Sequence, residues 1–305
     1  MVNIVTKKIK GEEYLYLVDS LRKGNKVVQK SIKYIGKKRP ITEHEFNCMK
    51  LSYKEEDWVL NGFTDELSYQ HHEEMKKASN AYKKYLTGLD LVSREKERER
   101  FLSIFIANSN AIEGSTLTPG ETFNYLFKDL SPKGHSKKEL FMASNLLNAW
   151  QYIEANNKKL PEHKDLLALH TLVNRGIETE KTLHDYKMVQ NYIGDVYTTS
   201  FLFVEEKMKR LLRWIKKAYV EVDDFEVAFQ SHAQFEIIHP FVDGNGRVGR
   251  LLLNWLLMRK GLMPLAIPLK KRADYISALN NARNGKLEAI CRFCLKAYLE
   301  QYKTM

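Results

Sequence analysis

The chain has 305 residues, of which 44% are hydrophobic, and carries a formal net charge of +11. That length suits one substantial domain plus a small appended unit. No stretch has the roughly 20 uncharged apolar residues of a membrane span, and the first residues lack the apolar segment of a secretory signal. We therefore expect a cytoplasmic globular protein, in which Cys48, Cys291 and Cys294 are reduced thiols rather than zinc ligands or disulfide partners.

The positive charge is concentrated in residues 1–40, which hold eleven Lys or Arg against three Asp or Glu. Short runs of β-branched and aromatic residues at 3–9, 13–19 and 26–35, separated by glycine-containing turns, predict two linked hairpins. Such a basic module suits a nucleic-acid or acidic partner. Lysines also decorate solvated sheet edges, so the charge alone does not decide between the two interpretations.

From residue 41 onward apolar residues recur at helical spacing, which predicts a mainly α protein. Residues 41–96 are interpreted as connecting helices and residues 97–305 as the main domain, a helical bundle. Residues 188–200 are rich in β-branched and aromatic residues around Gly194 and Asp195, which predicts a small hairpin inserted into the bundle. The predicted helices of the main domain cover 97–113, 137–157, 163–175, 203–220, 224–238, 248–260 and, as a pair, 272–303.

The helix predicted over 97–113 ends unusually. Gly114 stands where a left-handed cap is expected, so Glu113 lies in the last turn. A carboxylate there faces the negative end of the helix dipole, which costs about 0.3–1 kcal/mol unless a cation is near. Glu113 is therefore expected to pair with an arginine or lysine, and Ser109, one turn earlier on the same face, is placed to orient it.

The segment 239–250 reads HPFVDGNGRVGR and stands directly before the most apolar predicted helix. Gly244, Asn245 and Gly246 can present backbone N–H groups at a helix N-terminus, which makes an anion site. Arg247 and Arg250 are three residues apart, so both are expected to project from the first turn and grip further phosphates. The pattern predicts a cradle for a triphosphate.

Two further residues of this segment carry reactive groups. Asp243 suits Mg²⁺, which takes one or two carboxylates when it bridges phosphates. His239 suits a general base, since an unperturbed imidazole with a pKa near 6.5 is largely neutral at pH 7. Each residue alone also has an ordinary structural explanation, such as a turn, a core histidine or a solvated arginine, but their order within twelve positions is specific.

The segment HPFVDGNGRVGR matches the HxFx(D/E)GNGRxxR motif of Fic-domain proteins at every position, and Ser109 to Gly114 (SNAIEG) is similar to that family's inhibitory (S/T)xxxE(G/N) motif. The resemblance covers roughly residues 97–305, with the inhibitory helix ahead of the Fic core. It implies transfer of AMP from Mg-ATP to a Ser, Thr or Tyr hydroxyl of a target protein.

In that family's terms, His239 would deprotonate the target hydroxyl and Asp243 would bind Mg²⁺. The α- and β-phosphates would be held at 244–246 with help from Arg247, and the γ-phosphate by Arg250. As a hypothesis, Glu113 pairs with Arg250 and so inhibits the enzyme. The hairpin would act as a flap that aligns the target backbone by strand addition, through Tyr192, Ile193, Gly194, Asp195 and Val196.

Several points stay open on the sequence. Tyr275 is a candidate wall of the adenine pocket, although its spacing with Leu279 is also typical of plain core. The family often has Arg where Lys187 stands and Asn where Arg283 stands, which leaves target and adenine recognition uncertain. Removal of AMP with the help of Glu113, and nucleic-acid binding through residues 1–40, are the alternative functions. The target protein, whether it is the chain itself, and any homo-oligomer are not determined.

Overall fold

A computed structural model describes residues 1–23, 26–54, 64–193 and 196–303. Three strands come first and helices follow, as predicted. The elements are β1 (Val2–Ile9), β2 (Glu12–Lys23), β3 (Lys26–Lys37), α1 (Glu43–Lys54), α2 (Tyr69–Gly88), α3 (Leu91–Ile112), α4 (Pro119–Phe127), α5 (Lys137–Asn156), α6 (His163–Asn174), α7 (Phe201–Glu221), α8 (Asp224–Ile238), α9 (Asn245–Arg259), a short 3-10 turn (Leu269–Lys271), α10 (Arg272–Arg283) and α11 (Glu288–Tyr302).

Helix α9 lies at the centre of the helical body. Its residues from Val248 to Leu257 are all buried, as its nearly uniform apolar sequence predicts. Helices α3, α5, α6 and α8 all pack against it. Because α9 begins at Asn245 rather than at residue 248, the glycine-rich turn forms the start of the central helix.

The N-terminal strands form one antiparallel sheet in the order β1-β2-β3, with Ile4 opposite Leu17 and Leu17 opposite Lys33. This confirms the two linked hairpins; their second turn, Gly24-Asn25, lies outside the described residues. One face of the sheet packs on α1 and on the start of α7. The buried residues of this small core are Val2, Leu15, Leu17, Ile35, Met49 and Phe203.

Helix α3 begins earlier than the sequence predicts. Asp90 caps it by accepting a hydrogen bond from the Ser93 N–H at 2.9 Å, so the helix starts at Leu91 rather than at residue 97. The charged run of 94–100 then lies inside the helix. At the other end Glu113 is the C-cap and Gly114 has a φ of +99°, the left-handed conformation expected there.

Two segments differ from the sequence predictions. Helix α4 was not predicted; Thr118, Pro119 and Glu121 form its capping box and first turn. The predicted hairpin of 188–200 has no strand in the described residues, and only an isolated antiparallel bridge joins Ile193 to Val196. Its tip, Gly194 and Asp195, lies outside the described residues.

Among the described residues, none of the helices combines the length and the apolar character that crossing a membrane requires. Cys48, Cys291 and Cys294 are buried and are not joined in disulfide bonds.

Candidate active site

The candidate site lies where α8 ends and α9 begins. His239 caps α8 with a left-handed backbone (φ 52°, ψ 62°), and its N–H donates to the Phe235 carbonyl at 2.9 Å. Gly244 precedes α9 with a φ of +77°, a conformation that glycine adopts without strain. The five residues from His239 to Asp243 therefore turn the chain from one helix end directly into another.

Asn245 fastens this turn with its side chain. Its Oδ1 accepts from the Phe241 N–H at 2.8 Å and its Nδ2 donates to the Phe241 carbonyl at 2.8 Å. The Phe241 ring stacks on His170 at a centroid distance of 3.9 Å. Because the Asn245 side chain is committed to the turn, only the backbone at this position remains for a phosphate.

The first turn of α9 supplies the expected anion site, since the first N–H groups of a helix have no partner within it. The N–H of Gly244 is already taken by Asp243 Oδ1 at 2.6 Å. A Cβ at position 246 would lie 2.2 Å from Glu113 Oε1, so Gly246 is required for the close approach of an oxygen ligand. In this structure that oxygen belongs to Glu113.

Arg247 differs from the expectation that it projects outward. Its side chain is buried because α9 is enclosed on every side, and burial lowers its pKa. The guanidinium donates to Asn174 Oδ1 at 3.0 Å and approaches Asp243 Oδ2 at 3.7 Å. Asn174 in turn donates to the Asp243 carbonyl at 3.2 Å. In this arrangement Arg247 stabilises the turn between α8 and α9 and does not line an open phosphate subsite.

Arg250 is the meeting point of α9 and α3. Its Nη2 donates to Glu113 Oε1 at 2.8 Å and to the Ser109 carbonyl at 2.8 Å, while its Nε donates to Ser109 Oγ at 2.8 Å. Burial lowers the pKa of Arg250, but the charge and hydrogen bond of Glu113 together with the charges of Tyr275 and Glu236 outweigh it and leave the pKa raised. Ser109 thus contacts Arg250 and not Glu113, which is a correction to its expected role.

A second arginine meets the end of α3. Arg272 Nε donates to the Ile112 carbonyl at 3.0 Å, so a cation lies at the negative end of the helix dipole. Together with Arg250 it offsets the unfavourable placement of Glu113, whose side chain is 35% exposed.

His239 is held neutral. Burial lowers its pKa to about 3, and the nearby positive charges of Lys187 and Arg283 act in the same direction. Its Nδ1 is enclosed by protein. Nε2 is therefore the ring nitrogen left to accept a proton, and it is unprotonated at physiological pH.

Asp243 is the exposed carboxylate of the turn, with 54% of its side chain accessible. Its Oδ1 accepts from the Gly244 N–H, and Oδ2 lies 3.7 Å from Arg247. One accessible carboxylate beside a helix N-terminus fits Mg²⁺, which keeps several waters and takes few protein ligands. The donor set is therefore compatible with the expected metal.

A cleft opens above these residues and encloses about 190 Å³, less than the roughly 300–1,000 Å³ of typical ligand pockets. It brings together His239, Gly246, Arg250 and Glu113 from the sequence predictions, with Ile193 and Val196 of the flap segment. Asp243 and Arg247 lie outside it. The Glu113 carboxylate occupies part of the space in which phosphates are expected.

Tyr275 is at the floor of the cleft rather than a free wall. It is 1% exposed, and its hydroxyl lies 2.7 Å from His232 Nε2. The accessible apolar side of the cleft comes from Ile276 and Leu279, with Arg283 beside them. The Arg283 guanidinium donates to the carbonyls of Glu236, Ile237 and Tyr197.

Sequence reasoning gave no structural role to three residues of this region, one of which, Lys187, it noted only as a departure from the family pattern. Asn174 braces the turn, Lys187 is a buried cation beside His239, and Glu236 is a buried carboxyl in the cleft. Burial lowers the pKa of Lys187 to about 7 and raises that of Glu236 to about 7. The available signal was a charged or amide residue at an otherwise apolar helix position, as at Glu236 within FEIIHPF.

The fold and the site together define a helical protein with a glycine-containing helix N-terminus at a cleft, a neutral histidine beside it and a carboxylate within the cleft. Residues 160–257, which run from α6 through α9, match the Fic/DOC family model. The chain therefore contains a Fic/DOC domain over these residues.

Curated relatives agree with this assignment. The protein adenylyltransferase fic-1 of Caenorhabditis elegans is 29% identical over 208 residues, which is 67% of this chain and 41% of that protein. The protein adenylyltransferase Fic of Drosophila erecta is 31% identical over 215 residues, 68% of this chain and 43% of that protein. This chain thus spans less than half the length of these relatives.

Solved structures show the same fold. Fic-1 of C. elegans superposes with a TM-score of 0.67 at 24% identity, covering 85% of this chain and 80% of that chain. A Fic-domain signalling protein of Bacteroides thetaiotaomicron gives a TM-score of 0.67 at 21% identity and covers 75% of this chain and 94% of that one.

Proposed function

We propose that this protein is an adenylyltransferase that moves AMP from Mg-ATP to a hydroxyl side chain of a target protein, with Glu113 as a built-in inhibitor. The observation that carries the proposal is the shared cleft: His239 at the end of α8 and the phosphate-binding first turn of α9 face the same space. The name adenylyltransferase on the curated relatives supports the same chemistry.

The chain's own groups have distinct parts in the proposed reaction. Backbone N–H groups of the first turn of α9 hold the phosphates, and Arg250 binds the γ-phosphate once Glu113 leaves it. Asp243 would hold Mg²⁺, which neutralises phosphate charge when bound. His239 Nε2 takes the proton of the target hydroxyl, and the hydroxyl oxygen bonds to the α-phosphorus of ATP. The bond from that phosphorus to the bridging oxygen breaks, and pyrophosphate leaves.

The inhibition follows from competition for one cation. Glu113 Oε1 lies 2.8 Å from Arg250 Nη2, and a Cβ at Gly246 would collide with the same oxygen. A γ-phosphate and the Glu113 carboxylate therefore cannot both occupy this position. ATP would have to bind with its phosphates displaced, which removes the in-line geometry that transfer needs.

Removal of AMP is the second candidate, because the Glu113 carboxylate is partly exposed within the cleft. A carboxylate in that position can orient a water molecule toward the α-phosphorus of a modified side chain. Here the same residue that blocks transfer would assist hydrolysis.

The test uses ATP labelled at the α- or the γ-phosphate with the wild-type chain, Glu113→Gly and the double variant Glu113→Gly with His239→Ala. We expect protein labelling from α-label only, strongest in Glu113→Gly and lost in the double variant. The control is Glu95→Gln, which removes an acidic group from the exposed part of α3 and should be labelled to the same extent as the wild-type chain. Label transferred from the γ-phosphate would refute the proposal.

The two candidates separate with pre-modified protein. Under removal of AMP, wild-type chain with Mg²⁺ releases AMP from it and Glu113→Gly does not. Under transfer alone, neither chain releases AMP.

A further inference from the structure

Helix α1, which lies ahead of the region matched by the family model, reaches the described parts of the flap segment, residues 190–193 and 196–198. The His44 ring sits between two tyrosines of that segment, with centroid distances of 4.5 Å to Tyr192 and 4.8 Å to Tyr197. Thr42 Oγ1 lies 3.4 Å from the Tyr192 hydroxyl. Tyr192 and Tyr197 flank the bridge between Ile193 and Val196, so His44 touches both sides of the flap at once.

A second set of contacts joins the two sides of the flap one residue closer to its base. The buried Lys187 ammonium donates to Asn191 Oδ1 at 2.7 Å and to Thr198 Oγ1 at 3.1 Å. Asn191 Nδ2 donates to the Phe241 carbonyl at 2.8 Å, two residues after His239. The base of the flap is therefore tied to the catalytic turn, and its outer part is held by α1.

Helix α1 is itself firmly anchored. Arg39 and Glu45 form an ion pair at its N-terminal end, and the Ser200 N–H donates to Ser52 Oγ at 2.8 Å near its C-terminal end. Met49 belongs to the core that the N-terminal sheet shares with the start of α7. A rigid path thus runs from the basic sheet through α1 to the flap.

We propose that His44 is a positioning residue for the target: it holds the two sides of the flap together, so that the N-terminal unit determines how the flap presents itself to a target backbone. The inference rests on the proposed adenylyl transfer only for its catalytic consequence. His44 Nε2 is buried and has no hydrogen-bond partner among the described residues. Ring packing between the tyrosines therefore accounts for the contact, and a phenyl ring can replace the imidazole.

The direct test is hydrogen exchange of the flap amides in the full chain. His44→Ala should speed exchange of peptides covering 190–198 by about tenfold, because two aromatic contacts are lost. His44→Phe should restore slow exchange. His184→Ala removes an exposed histidine away from α1 and should leave the flap unchanged. Wild-type flap exchange in a folded His44→Ala chain would overturn the proposal.

The catalytic test uses the Glu113→Gly background, with a Glu113→Gly, His239→Ala chain as the protein acceptor. His44→Ala should raise the KM for the acceptor chain about tenfold with kcat nearly unchanged, and His44→Phe should reverse this. The affinity for a non-hydrolysable ATP analogue, measured by calorimetry, should stay the same. An equal loss in kcat and nucleotide affinity would indicate general damage to the fold and contradict a positioning role.

The two readouts separate the two claims. Faster flap exchange in His44→Ala, without label transfer by any variant either to the acceptor chain or to the proteins of a cell lysate, would refute adenylyl transfer and leave flap positioning standing. Label transfer with unaltered flap exchange and unaltered KM in His44→Ala would refute flap positioning and leave adenylyl transfer standing.

Discussion

Glu236 offers a quantitative test of how the cleft is built. It is 7% exposed in the last turn of α8, and its Oε1 has no hydrogen-bond partner within the described part of the chain. Burial raises its pKa to about 7, although the charge of Arg250 opposes the rise. Glu236→Gln mimics the protonated carboxyl in size and charge, so it isolates the free energy of ionising this group.

The sign and size of the effect follow from proton linkage. Above its ordinary pKa of 4.5 the carboxyl ionises in the unfolded chain, while in the folded chain it stays protonated up to about 7. The folded state holds the extra proton in this window, so the free energy of unfolding falls as pH rises from about 4.5 to about 7. At about 1.4 kcal/mol per pH unit, the loss amounts to about 3 kcal/mol.

Urea unfolding of wild type and Glu236→Gln at several pH values from 4.5 to 8 measures this loss. The two proteins should have similar free energies of unfolding at pH 4.5, and the variant should be more stable by about 3 kcal/mol at pH 8. Other titrating groups, such as Lys187, largely cancel in the difference. A difference that does not change with pH would show that the Glu236 carboxyl ionises at its ordinary pKa.

Three further outcomes are expected. Glu113→Gln keeps an acceptor but loses its charge, so label transfer from α-labelled ATP should rise about fivefold, against about thirtyfold for Glu113→Gly; equal rates would contradict the ion-pair argument. The pH profile of kcat/KM should show no protonation of His239 between pH 5 and 7, since its pKa lies near 3; an inflection at 6.5 that persists in both Glu236→Gln and Lys187→Gln, the two neighbours with a pKa of about 7, would refute this. Asn245→Ala should lower the free energy of unfolding by about 2 kcal/mol in urea by freeing the Phe241 backbone, whereas Asn281→Ala, which removes one exposed bond, should not.

The sequence predicted the chain's architecture well because its local signals agree. The apolar surface of 248–260 predicted the central helix, and Gly114 predicted the end of α3. The pairing of Glu113 with an arginine followed from one electrostatic rule, and the structure has that contact. Helix starts were less accurate, since Asp90 and Gly244 extend α3 and α9 beyond the apolar pattern.

Tertiary contacts were beyond the sequence. Arg247 looks like a surface cation until the enclosure of α9 is known, and the hydrogen bonds between the Asn245 side chain and the Phe241 backbone have no signal in the sequence. In the basic N-terminal module, Lys37 and Lys38 each pair with a glutamate on the neighbouring strand. Counting charges along the sequence cannot predict which lysines are already paired with carboxylates.

The bond from Arg250 Nη2 to the Ser109 carbonyl has a consequence for how such a switch can evolve. The Ser109 carbonyl is a main-chain acceptor and is present whichever side chain stands at position 109. This hydrogen bond therefore keeps the Arg250 guanidinium oriented after a substitution there. Loss of the Glu113 carboxylate alone then leaves Arg250 still oriented toward the cleft. Under the proposed function, inhibition and transfer are therefore separable by a single codon, and neither requires rebuilding α3.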